Sequence, residues 1–250
     1  MIPLHDDNPT TLRPVVTVGI IAAATAVFLW QITLPEDEQL RVVYGLGLVP
    51  AVLFGERALP PEIAMIPAEA TVLTSMFLHG GLLHLAGNML YLWIFGNNVE
   101  DALGHSRFVL FYLLCGVAAA FAQIASDPGS DVPMIGASGA IGGVLGAYLL
   151  LFPHAKVMVL IPLGFFTRLV YVPALLVLGL WFVLQFVQGA LAPASGGGGV
   201  AFWAHIGGFV AGAALILIMR RPGVPLFGAA RHRPWEAERR GRGPWGGGPR

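Results

Sequence analysis

Long apolar stretches alternate with short polar segments along most of this chain. Six of the stretches approach the roughly 20 residues that a helix needs to cross a bilayer. In chain order they cover residues 15–32, 79–96, 108–126, 136–152, 169–189 and 200–219. Two further apolar stretches, 42–54 and 157–166, are too short to span, and the first fits an interfacial or re-entrant element. The pattern predicts an all-α polytopic membrane protein with a bundle of six transmembrane helices.

The composition supports a membrane protein and excludes several other classes. Charged residues make up 11% of the 250 residues and hydrophobic residues 56%, whereas soluble domains carry about 25% charged residues. The formal net charge is zero, so charge gives no reason to expect a nucleic-acid partner. A single cysteine, Cys115, lies in an apolar stretch, which excludes an intrachain disulfide and a cysteine-based zinc site.

The distribution of charge predicts the orientation of the six spans. With the N-terminus inside, 12 of the 14 basic residues fall on the inner side, and only Arg41 and Arg57 fall outside. Such a bias is typical of cytoplasmic loops and predicts that both termini are cytoplasmic. We therefore divide the chain into an N-terminal cytoplasmic segment (1–14), a membrane domain (15–219) and a basic cytoplasmic tail (220–250). The tail is rich in glycine, proline and arginine, so we expect it to be disordered, either solvated or resting on anionic membrane lipid.

Polar side chains interrupt the spans at a few positions, and such residues usually face the interior of a bundle. They are His79, His84, Asn88, Gln123, Ser138, Gln185, Gln188 and His205. The second, fourth and sixth spans all run from outside to inside, and each carries polar residues within two or three turns of its outer end. His84, Asn88, Ser138 and His205 are therefore predicted to share one layer beneath the outer surface. His79 is expected to point elsewhere, near the water interface.

Glycines accompany the serine and the histidine at helical spacing. Ser138 is followed by Gly142 and Gly146, and His205 by Gly208 and Gly212. Small residues at this spacing let helix backbones approach closely, so the imidazole could reach the hydroxyl. A serine beside a histidine base is the minimum nucleophilic unit. The alternative is structural: the serine bonds back to a carbonyl of its own helix, the histidine is buried in a packed core, and the glycines only pack.

Three motifs in order resemble those of the rhomboid intramembrane serine proteases. Residues 136–139 match the family's GxSG motif, residues 204–212 match AHxxGxxxG, and residues 79–88 match HxxxxHxxxN. Glu100 lies where the family often has a glutamate. The resemblance covers roughly residues 71–212.

The resemblance implies a set of roles for these residues. Ser138 would be the nucleophile and His205 the general base, while His84 and Asn88 would donate to the oxyanion hole together with the backbone N–H of Ser138. The substrates would be single-span membrane proteins, the segment after the first span would lie laterally in the outer leaflet, and the last loop would act as a cap. No carboxylate lies in the spans at this depth, so we expect a Ser-His dyad without cofactor or metal.

The sequence departs from the family pattern in two places. Residues 33–70 contain no tryptophan, so the Trp-Arg pair of some members is absent. A tyrosine that stacks on the histidine in some members would fall at Gly142, so His205 must be oriented by other groups, such as Phe202 or Trp203. The glycine-rich loop 192–199 is either a gate or a plain linker.

Three other functions stay open at this point. The nearest is a catalytically inactive rhomboid-like protein that binds transmembrane clients. A metal site would use His79, His84 and His205, although the chain has no HExxH motif. A channel or transporter would be expected to show an inverted repeat or a charged pathway, and neither is evident.

Overall fold

The computed structural model describes residues 1–163, 166–191 and 200–228, and these residues are mostly helical. The helices are α1 (Val15–Gln31), α2 (Glu36–Leu46), α3 (Pro50–Leu53), α4 (Thr71–Thr74), α5 (Leu82–Tyr91), α6 (Asn97–Leu103), α7 (His105–Ser126), α8 (Ser138–Leu151), α9 (Ala174–Leu191) and α10 (Phe202–Met219). Single 3-10 turns at Ala68–Ala70 and Ser75–Phe77 flank α4. A π-helical segment, Leu92–Gly96, joins α5 to α6.

The structure corrects the all-α prediction, because it contains a three-stranded antiparallel sheet. Strands β1 (Ile2–Asp6), β2 (Lys156–Leu163) and β3 (Phe166–Pro173) pair in that order. The apolar run in β2 is rich in β-branched residues, and Val157 and Val159 are fully buried. A short apolar run of this kind fits a strand or a buried helix equally well by pattern alone.

Because β3 occupies the start of the fifth predicted span, the helix begins later than the prediction. We placed its beginning at residue 169, but residues 166–173 form β3 and the helix begins at Ala174. The structure also describes the first residues of the predicted tail, 220–228. Residues 220–228 lie against the bundle: Arg221 forms an ion pair with Asp101 at 2.9 Å, and Phe227 donates its backbone N–H to the carbonyl of Leu150. The rest of the predicted tail lies outside the described residues.

Several of the described helices are long and apolar enough to cross a membrane. By length and composition three qualify: His105–Ser126, Ala174–Leu191 and Phe202–Met219. The pair Ala68–Phe77 and Leu82–Leu103, bent by 81°, passes the same test as one unit. α1 and α8 are shorter apolar helices. Three to four of the six predicted spans therefore meet these criteria among the residues described.

The centre of the bundle is the crossing of α8 and α10, which is lined by glycines. A Cβ atom built on Gly208 would overlap the carbonyl oxygen of Gly139, and one on Gly212 would overlap that of Gly143. A Cβ on Gly146 would likewise overlap the carbonyl of Phe209. The two helices thus meet backbone to backbone, which only glycine allows at these positions.

A buried carboxylate fastens α1 to the rest of the bundle. Glu100 is fully buried and accepts the backbone N–H groups of Val16 at 3.0 Å and Thr17 at 2.8 Å. It also accepts the Thr17 hydroxyl and the Nδ1–H of His105, each at 2.6 Å. The first N–H groups of a helix have no partner within it, so Glu100 satisfies two of them at the positive end of the helix dipole.

The N-terminal segment, 1–14, is tied to the same end of the bundle. The buried Asp6 carboxylate accepts the Tyr148 hydroxyl at 2.5 Å and the Asn98 side-chain amide at 2.9 Å. Burial raises the pKa of the Asp6 carboxyl above its usual value. This network links β1 to α6 and α8 at the end of the bundle opposite Ser138.

Candidate active site

Ser138 and His205 meet where α8 and α10 begin. Ser138 is the first residue of α8, and His205 lies in the first turn of α10. The Ser138 Oγ lies 2.8 Å from the His205 Nε2, within hydrogen-bond distance. His205 is 8% exposed and Ser138 is half-buried. The close approach follows from the glycine-lined crossing below the pair.

His84 and Asn88 lie beside the backbone that leads into Ser138. Gly136, two residues before the serine, has φ +119°, and its N–H donates to the Ser75 carbonyl at 2.9 Å. A Cβ on Gly136 would lie 2.8 Å from the His84 ring and 3.7 Å from the Asn88 Nδ2. Glycine is therefore required here both by backbone conformation and by space.

His84 and Asn88 each have a side-chain N–H group that can donate a hydrogen bond to a ligand. The backbone N–H of Gly80 donates to the His84 Nδ1 at 3.4 Å, so in the neutral ring Nε2 carries the proton. The Asn88 Nδ2 is buried and has no hydrogen-bond partner among the described residues. A buried amide without a partner is unfavourable, which points to a ligand group that completes the site.

The structure places His79 differently from the prediction. The side chain is buried, 2% exposed, rather than near the water interface. Its ring packs edge-on against His84 with centroids 5.1 Å apart, and its backbone N–H donates to Gln31 Oε1 at 3.2 Å. His79 thus supports the His84 ring from α1's side of the bundle.

The far side of the His205 ring is held by α9, which the sequence did not indicate. The His205 Nδ1 lies 2.6 Å from the Gln185 Oε1, and the Trp181 ring lies 5.8 Å from the imidazole at an interplanar angle of 36°. Trp203, which we suggested for this role together with Phe202, instead packs against Phe186. Gln185 had one signal, a polar residue in an apolar span, but nothing in the sequence marked Trp181.

Three further expectations from the sequence concern Gln123, the loop 192–199 and a metal site. Gln123 accepts the backbone N–H of Ala204 at 3.2 Å, which caps the start of α10 beside His205. The candidate gate, 192–199, lies outside the described residues. Within the described ranges, no three His, Cys, Asp or Glu side chains are grouped so that they could hold a metal ion.

Comparison with known proteins identifies one family. A family model described as the Rhomboid domain matches residues 69–222. The chain is 37% identical over 157 residues to the Rhomboid protease GluP of Bacillus subtilis, which covers 63% of this chain and 27% of that protein. It is 32% identical over 124 residues to Rhomboid protein 1, mitochondrial, of Saccharomyces cerevisiae, covering 48% of this chain and 36% of that protein.

A human relative matches over a shorter region. The presenilin-associated rhomboid-like protein, mitochondrial, of Homo sapiens is 35% identical over 99 residues, which cover 38% of this chain and 26% of that protein. The chain thus spans between about a quarter and a third of the length of these curated relatives.

Proposed function

The chain belongs to the rhomboid family, and from that membership and the site geometry we propose that it is an intramembrane serine endopeptidase acting through a Ser-His dyad. The observation that carries the proposal is the 2.8 Å approach of the Ser138 Oγ to the His205 Nε2. A hydroxyl and an imidazole at this distance form an activated nucleophile. The family includes proteins named as rhomboid proteases, which supports the same chemistry.

The reaction would be acyl transfer to the serine followed by hydrolysis. The His205 Nε2 takes the proton of the Ser138 hydroxyl as the Oγ attacks the scissile carbonyl. The resulting imidazolium then gives the proton to the leaving amine, and the substrate's N-terminal part stays attached to Ser138 as an ester. A water molecule, deprotonated by His205, releases that part as a carboxylate.

The negative charge of each tetrahedral intermediate needs hydrogen-bond donors. We propose that the backbone N–H of Ser138 supplies one, at the N-terminus of α8 where the helix dipole is positive. The Nε2–H of His84 and the unpartnered amide of Asn88 supply two more. Loss of a single donor of this kind costs about 3 kcal/mol of transition-state stabilisation.

The short length of α8 supports a reaction below the membrane surface. Its 14 residues extend about 21 Å at 1.5 Å per residue, against a hydrocarbon core of about 30 Å. A helix that starts at the opposite surface would therefore end roughly 10 Å short, with Ser138 inside the bilayer.

We propose six spans with both termini cytoplasmic, as the arginine distribution favours.

The substrate class follows from this depth. A peptide bond that reaches Ser138 must belong to a segment within the membrane, so we propose single-span membrane proteins as substrates. A continuous helix hides its carbonyls in hydrogen bonds, so the cleaved segment should contain helix-weakening residues. The rhomboid resemblance implies a small residue before the cut.

A reporter cleavage assay tests the proposal. The full chain is reconstituted in liposomes with a single-span reporter whose helix is interrupted by Gly and Pro, and product is followed on gels. We expect cleavage by wild type and none by Ser138→Ala. The matched control is Ser106→Ala, because Ser106 is exposed at the opposite end of the bundle.

Two outcomes would contradict the proposal. Unchanged cleavage by Ser138→Ala would show that the serine is not the nucleophile. A wild-type protein that binds the reporter but never cleaves it would favour the inactive, client-binding alternative.

A further inference from the structure

The His205 ring is held at both nitrogens. Its Nε2 faces the Ser138 Oγ at 2.8 Å, and its Nδ1 faces the Gln185 Oε1 at 2.6 Å. An amide oxygen only accepts hydrogen bonds, so the ring proton must lie on Nδ1. The lone pair of the neutral ring then lies on Nε2, where a general base for Ser138 needs it.

The rotation of α9 that places Gln185 here is fixed by aromatic packing. Phe182 and Trp181 stack on Phe209 of α10, with ring centroids 4.5 Å and 6.3 Å apart. Trp181 lies four residues before Gln185 and so on the same face of the helix. It covers the His205 ring while Gln185 binds the edge of that ring.

The glycine-lined crossing explains why this support comes from α9. A Cβ on Gly142 would lie 2.8 Å from the carbonyl oxygen of His205, so α8 has no room there for a side chain that could stack on the imidazole. The neighbouring helix α9 therefore supplies both the aromatic face contact and the acceptor.

We infer that Gln185 is a positioning residue that fixes the tautomer and orientation of His205. The inference rests on the proposed function and adds a third, uncharged member to the dyad. A neutral amide suits this position, because a carboxylate at membrane depth carries a large desolvation penalty. The amide oxygen also stabilises the imidazolium that forms as Ser138 attacks, since Nδ1–H becomes a stronger donor.

The test replaces only the acceptor. Gln185→Met keeps the length and volume of the side chain but cannot accept the Nδ1–H bond. We expect kcat to fall about 10- to 100-fold, as for loss of one hydrogen bond to a group that is charged in the transition state. KM should change little, because Gln185 binds the His205 Nδ1, on the side of the ring away from Ser138. The rate at which a fluorophosphonate probe labels Ser138 should fall by a similar factor.

Two variants separate positioning from a structural role. Gln185→Glu keeps an acceptor oxygen at the same reach, in the carboxylate and in the protonated carboxyl alike, so it should label Ser138 faster than Gln185→Met does. Gln188→Met makes the same change one turn further along α9 at an exposed position, and it should behave as wild type. Thermal unfolding in detergent establishes that each variant is folded.

The outcomes distinguish the inference from the proposed function. Wild-type kcat and labelling in folded Gln185→Met would overturn the inference alone, as would Gln185→Glu that is no faster than Gln185→Met. A wild-type protein that neither cleaves the reporter nor labels at Ser138 would overturn the proposed function and the inference with it.

Discussion

The glycine-lined crossing of α8 and α10 predicts that the substitution Gly208→Ala lowers both kcat and stability. Gly208 lies three residues after His205 and so on the same face of α10. A Cβ at this position would overlap the carbonyl oxygen of Gly139, one residue after Ser138. An unstrained carbon-to-oxygen contact measures about 3.3 Å, so the two helices must separate by more than about 1 Å to accept one methyl group.

That separation acts directly on the reacting pair. The Ser138 Oγ and His205 Nε2 are 2.8 Å apart, and an added 1 Å would take them beyond the roughly 3.2 Å reach of a hydrogen bond. A misplacement of about 1 Å costs on the order of a hundredfold in rate. The overpacking should also destabilise the bundle by about 1 to 3 kcal/mol.

The assay measures kcat on the reporter and the thermal unfolding midpoint of the same detergent-purified samples. Gly179→Ala on α9 is the control, because a Cβ there has no atom within 4 Å. Gly116 on α7 is a less suitable control, because a Cβ there would lie 2.6 Å from the Met76 sulfur. That thioether can rotate away, so Gly116→Ala should have an intermediate effect. A folded Gly208→Ala protein with wild-type kcat and stability would refute the reasoning, because the site would not depend on backbone contact.

Four further predictions test other parts of the molecule. The double variant Ser138→Ala/His205→Ala should be little worse than either single variant in residual kcat, since the pair acts as a unit; additive losses would contradict this. Asn88→Ala should lower kcat on the order of a hundredfold with KM nearly unchanged, and an effect on KM alone would exclude an oxyanion role. Glu100→Gln should lower the free energy of unfolding by about 1 to 3 kcal/mol, because the amide cannot accept all four bonds that the carboxylate accepts. Its kcat at low temperature should match wild type, and an unchanged unfolding midpoint would contradict the anchoring role. Activity should survive EDTA, and loss that zinc restores would favour a metal site instead.

The periodicity of the sequence predicts much of the fold because long apolar helices have a distinctive length. The third span was predicted at residues 108–126 and the helix covers His105–Ser126; the sixth was predicted at 200–219 and covers Phe202–Met219. The rhomboid resemblance is confirmed by the family model. The sheet was missed because the periodicity of a short apolar run does not separate a strand from a buried helix, and the β-branched residues among 157–161 are only a weak signal for a strand.

The candidate site, like the fold, was only partly predictable from the sequence. Depth along spans that run in the same direction is readable from the span boundaries, so the approach of Ser138 to His205 could be reasoned from the sequence. The rotation of a helix about its own axis is not readable when apolar residues surround it on all sides, as in α9. The contact of Gln185 with His205 depends on that rotation, so it is seen only in the structure.

The pairing of β1 with β2 has a consequence for the order of events during synthesis. Asp6 and Tyr148, which the strand network joins, are 142 positions apart in the chain. At synthesis rates of about 5 to 20 residues per second, the N-terminal strand waits about 7 to 30 seconds before its partners are synthesised. The first helices must therefore enter the bilayer while Ile2–Asp6 is still unpaired. The sheet therefore forms late, after the helices between β1 and β2 have been synthesised.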